Sequence, residues 1–177
     1  MTFEQAMYYK YLLICGYSDE LNKHINICLN DENPISDIIL NLSTCGFDNK
    51  KILAVLNDFV LNVPEDQIDY DKVFAFVLTF LRSQYIEEKV PIEKLTDLMY
   101  QISVLTENEL ENPWWTMYTL GDLYSEAKAG YITMESFMGV FESFINKGIC
   151  IESSTVQPPQ RKPLFIKQLF AKLKRKN

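Results

Sequence analysis

Chemistry in this chain could start from His24, the only histidine, from cysteines at 15, 28, 45 and 150, or from 24 carboxylates. A catalytic or metal-binding imidazole needs a nucleophile, a carboxylate orienter or further ligands at the right spacing. His24 has none of these in sequence. It shares a helical stripe with Leu21, Ile25 and Cys28, and no G-x-S-x-G or catalytic-cysteine context accompanies it. The expectation is a core or helix-flanking histidine. The cysteines lack C-x-x-C spacing, so zinc and dithiol chemistry have no frame. Cys28 and Cys45 fall on apolar stripes and are predicted to be buried free thiols, as in a reducing cytosol. The six glycines mostly follow helical segments and form no phosphate-cradling loop. No catalytic residue, metal site or cofactor is predicted.

The carboxylates gather in two connections. PEDQIDYD (64–71) holds Glu65, Asp66, Asp69 and Asp71, and ENELEN (107–112) holds Glu107, Glu109 and Glu111. General acid–base work requires a pocket and shifted pKa values. A surface that attracts a cation needs only density and access, and solvated loops are the ordinary alternative. The wider charge pattern bears on the partner. Through Glu152 there are ten Lys/Arg against 24 Asp/Glu, a balance of −14, whereas Arg161 onward carries seven basic residues and no acid, +7. An acidic body opposes direct nucleic-acid binding, because phosphates require the opposite sign. It favours a basic protein partner, or simply solubility.

These groups need positioning, and the stretch 112–144, NPWWTMYTLGDLYSEAKAGYITMESFMGVFESF, is the best punctuated part of the chain. Asn112 is a suitable N-cap, Pro113 a suitable first helical residue, Gly130 a left-handed stop, and Thr133 with Ser136 a second start. A helical hairpin is predicted over 113–129 and 134–147. In its first helix Met117, Leu120, Tyr124 and Ala127 share a stripe, widened by Trp114 and Tyr118, and Gly121 beside it allows a close helix approach. Trp115 points the other way, with Thr119, Asp122 and Glu126. A tryptophan there is either packed under the preceding loop or an anchor for a partner. Candidate partner-binding residues are therefore Trp115, Asp122 and Glu126, with Glu107, Glu109, Glu111, Asp66 and Asp69 in the loops. AGYITMESF also resembles the closing half of an EF-hand calcium loop. With Gly130 at the sixth position, however, Ser125, Ala127, Ala129 and Ser136 occupy ligand places, and no carboxylate cage results.

Around the hairpin, 3.6-residue periodicity predicts a helix over 3–15, ended by Gly16, then one capped by Ser18 or Asp19, and a third begun at Pro34 and closed by Gly46. Asp48 caps a fourth. A central helix spans about 71–87, with Phe76 and Phe80 among its core residues, and Pro91 starts the next. The class is all-α: a compact bundle of about seven helices in an acidic domain, 1–151. A polar, proline-bearing linker, 152–163, leads to a basic amphipathic tail, 164–177. Phe165, Ile166, Leu169, Phe170 and Leu173 supply its apolar side, and Lys167, Lys174 and Arg175 its charge. No apolar run reaches the ~18–20 residues of a membrane span. The N-terminus, with Glu4 and no basic region, reads as a helix and not a signal peptide. A cytoplasmic location is expected.

Size, the acidic body, the missing catalytic set and the NPWWTMYTLGDLY stretch together resemble the small acidic all-α immunity proteins that bacteria keep beside polymorphic or contact-dependent toxins. The resemblance implies a cytosolic inhibitor that covers a toxin domain, often a basic nuclease, by charge-complementary docking with a few aromatic anchors. The alternative is a peripheral membrane or scaffold adaptor directed by the tail, with membrane contact made by the tail itself.

Overall fold

In the computed structural model, which describes residues 1–61, 63–64 and 67–152, eight helices and no strand form among those residues. They are α1 (Phe3–Ile14), α2 (Asp19–Asp31), α3 (Asp37–Thr44), α4 (Asn49–Leu61), α5 (Tyr70–Ile86), α6 (Ile92–Leu105), α7 (Trp114–Lys128) and α8 (Met134–Lys147). The count is eight rather than about seven. The starts and stops read from the sequence, the Gly46 stop (φ 60°) and the Asp48 cap between α3 and α4 among them, already delimit these eight segments. The linker after Glu152 and the basic tail lie outside the described residues, as does Asp66. None of the described helices is long and apolar enough to cross a membrane.

Local chemistry explains most boundaries. Thr2 and Gln5 form a reciprocal capping box that starts α1. Asp48 Oδ1 accepts from the amides of Lys50 and Lys51 at the head of α4, and Thr133 accepts from Ser136 N at the head of α8. Gly130, at φ 81°, closes the α7 end. Two expected starts move besides that of α6, which begins at Ile92 with Pro91 as its N-cap. The third helix begins at Asp37 and not at Pro34, because the Glu32 carboxylate accepts from Ser36 N (3.2 Å) and Ser36 Oγ (3.0 Å) and holds the preceding residues as a loop. Cys45 is thereby left at the end of α3, half-buried, its Sγ donating to Asn41 O at 3.3 Å, whereas Cys28 is buried as predicted. The other displaced start is that of α7, described with the face it carries.

One continuous core joins all eight helices. The centre is shared between α1 and α5. Seven α1 side chains are buried, and Tyr8 of α1 meets Phe76 and Phe80 of α5 with ring centroids 5.8 and 6.5 Å apart. Phe80 is buried as predicted, while Phe76 is only half-buried. From α8, Phe137, Phe141, Phe144 and Ile145 are wholly excluded from solvent and face Tyr124 of α7 and Phe74 and Tyr85 of α5. Arg82 reaches across from α5. Its guanidinium donates to the carbonyls of Ile145 (2.8 Å) and Asn146 (2.7 Å), satisfying the end of α8.

The α6–α7 pair is the most extensive helix contact, and Gly121 lies in it. A Cβ added there would sit 3.5 Å from Tyr100 Cβ and 3.7 Å from Thr96 O, which is ordinary contact. Gly121→Ala is therefore expected to stabilise the fold by ~0.5–1 kcal/mol, through the helix penalty glycine carries. Gly121→Leu should destabilise it, since the facing helix leaves no room for a longer side chain. Melting temperatures of the two variants check both signs.

Candidate partner-binding face

The inner side of α7 fixes the outer one. Trp114 (3% exposed), Met117 and Leu120 are buried, and the Trp114 ring meets Phe74 edge-on at 5.4 Å. With that stripe held, the helical repeat places Trp115, Asp122 and Glu126 together on the opposite side, spread over roughly 16 Å of axis. Trp115 and Asp122 are half-buried and Glu126 is exposed. Among the described residues, Trp115 is not one of the side chains packed on the buried core.

The loop before α7 is braced at both ends. The Thr106 hydroxyl donates to Ser103 O (2.7 Å) and accepts from Asn108 N (3.2 Å), and Glu107 takes a positive φ of 58°. Asn112 does not cap the helix as the sequence suggests. Its Oδ1 accepts from the Thr116 hydroxyl (2.8 Å), its Nδ2 donates to Ile151 O (3.2 Å), and Ile151 N donates to Thr116 Oγ1 (3.0 Å). Helix α7 accordingly begins one residue late, at Trp114, and residues after α8 are tied to its first turn. Trp115 N donates to Glu111 O at 2.8 Å, so the acidic loop runs directly into the outer face.

Glu107 and Glu111 are exposed and Glu109 is half-buried. Among the described residues no ion pair engages Glu107, Glu109, Glu111, Asp122 or Glu126; the nearby Lys128 is taken by Glu93 at 2.6 Å. Burial raises the Tyr11 hydroxyl pKa, and the charges of Tyr70 and Glu107 raise it further. Asp69, next to Tyr70, serves the fold locally. Its side chain accepts from Lys72 N, caps α5 and pairs with the Lys72 ammonium at 3.1 Å. Those hydrogen bonds hold its carboxyl below the usual range. Leu110, 77% exposed between Glu109 and Glu111, is a member of this face that the sequence reading misses. Its only signal there is an apolar residue inside an acidic run.

His24 sits elsewhere. Its ring lies 5.2 Å from the Tyr9 ring, its Nε2 is 3.5 Å from Cys28 Sγ, and burial, aided by the N-terminal charge, lowers its pKa against a weaker opposing pull from Glu32. An unfolded chain takes this proton near the ordinary 6.5, the native state only at lower pH. The contribution is fully present above 6.5 and lost as pH falls through 6.5 toward the lowered native value. His24→Gln should remove that step, leaving a flatter stability profile between about pH 7.5 and about pH 5.5 in denaturant titrations.

Among the described residues no group of three or more His, Cys, Asp or Glu is placed to hold a metal ion. The α7 face and the loop before it carry five carboxylates together with two apolar side chains that water reaches, Leu110 and Trp115. Comparison with known proteins finds no matching family model, no matching curated protein and no matching solved structure.

Proposed function

We propose that this chain is a non-catalytic binding protein that docks a cationic protein partner on the outer face of α7 and the loop before it. The observation that carries this is the set of five carboxylates, Glu107, Glu109, Glu111, Asp122 and Glu126, without an ion-pair partner among the described residues and on the same loop and helix face as Leu110 and Trp115. Single exposed charges contribute little. Several of one sign steer a cationic partner, and an aromatic anchor with an apolar neighbour supplies the contact that persists once docked. In its finer form, the partner is a basic bacterial toxin domain and the chain is its cytosolic immunity protein.

The test is to express the product of the neighbouring gene alone and together with this chain. Toxicity alone, relieved by the full chain and restored by Trp115→Ala with Asp122→Asn and Glu126→Gln, is the expected result. A harmless neighbour, or toxicity that co-expression does not relieve, sinks the immunity role. Relief that survives the triple substitution moves the site off α7.

A further inference from the structure

The outer side of α8 carries a feature that the α7 face does not use. Together with residues 149–151 it forms a cleft of about 440 Å³. Helix α8 lines it with Glu135, Ser136, Gly139, Val140 (37% exposed) and Ser143, and the chain after α8 with residues 149–151, of which Ile149 is 55% exposed. The α8 side is open, and its hydroxyls are already bonded. A Cβ built on Gly139 meets nothing within 4 Å. The Ser143 hydroxyl donates to Gly139 O at 2.7 Å, and the Ser136 hydroxyl bonds that of Thr133 at 2.8 Å, so both are spent within α8 and its cap. Such a trough suits an amphipathic segment that must bury one side.

The chain supplies such a segment close by. Residues 149–151 form one wall of the cleft, and Ile151 is pinned to Asn112 and Thr116, so the remaining chain departs from the rim. The 11 residues of 153–163 can span roughly 36–40 Å. Helix α8 has 14 residues, about 21 Å, and the segment 164–177 also has 14 residues. We propose that this cleft is the intramolecular seat of the basic segment 164–177, with Ile166, Leu169 and Phe170 filling it and its lysines and Arg175 turned toward the acidic body. Charge selects this occupant. The segment from Arg161 carries +7 against a body of −14, and Glu135 and Glu142 lie on α8 itself. A second copy would bring two −14 bodies together, and an anionic membrane would meet the same repulsion. A short tether also holds the segment at a local concentration of about millimolar.

Hydrogen exchange of the full chain, dilute and at low salt, tests the seat. Amides of 165–173 should exchange at least about tenfold slower than free-chain rates. Gly139→Trp, which fills the trough without meeting the body, should return them to free-chain rates. Phe170→Asp, which removes an apolar residue of the segment itself, should do the same and also speed exchange at 149–151. Free-chain rates at 165–173 in the unaltered protein overturn the proposal. So does slowing that survives Gly139→Trp in a folded body, or that leaves 149–151 indifferent to Phe170→Asp. Slowing that appears only with rising concentration and a dimer mass assigns the cleft to a second copy. Slowing that requires added phosphatidylcholine–phosphatidylserine vesicles assigns the segment to lipid. Both of those outcomes likewise overturn it.

Discussion

Phe141→Ala is expected to destabilise the protein by ~3–5 kcal/mol and to lower its melting temperature by roughly 6–20 °C. Phe141 is wholly buried, its ring 5.2 Å from that of Tyr85 and 5.6 Å from that of Phe137. Its removal therefore leaves a void among close-packed rings that cannot collapse without shifting a neighbouring helix. The same logic separates two phenylalanines that sequence treats alike. Phe80→Ala should fall in the same range, whereas half-buried Phe76→Ala should cost clearly less, because water already reaches part of its surface. Thermal melts of the three variants give the order directly.

The second large effect falls on the adjacent tryptophans. Trp114→Ala should cost ~3–5 kcal/mol of folding stability, since the ring is buried against Phe74. Trp115→Ala should cost less stability and instead remove at least ~2 kcal/mol of partner binding, about 30-fold in Kd. Two residues one step apart on a helix point about 100° apart, so one serves the core and the other the surface. Equal losses of stability in the two variants, with binding unchanged by Trp115→Ala, would reduce the outer face to packing.

Much of this is legible in the sequence because it is local. The α4 and α8 starts follow from Asp48 and Thr133, whose side chains bond amides two or three residues on. The division of α7 into a buried and an outer side follows from helical angle alone, and Gly121 is recognisable as a point of helix approach. What escapes depends on residues distant in sequence or on competing local bonds. Asn112 gives up its capping role to Thr116 and to Ile151, 39 positions away, and Arg82 finds its carbonyls 63 and 64 positions away. The start of α3 turns on one carboxylate, Glu32, competing for the Ser36 amide. Within the acidic loops, Asp69 is a local cap paired with Lys72 three residues on, of the same kind as Asp48, although the sequence reading groups it with Glu107, Glu109 and Glu111 as a candidate for the partner face.

The most direct test of the α7 face is the association rate constant with the neighbouring gene's product, measured at about 0.05 M and about 0.3 M salt for the full chain and for Asp122→Asn with Glu126→Gln. The expected result is a rate that falls steeply with salt in the unaltered chain. In the double variant the rate should be lower and its salt dependence shallower, with dissociation changed much less. An association rate indifferent to salt, or one whose salt dependence the two substitutions leave untouched, would contradict charge-steered docking on this face.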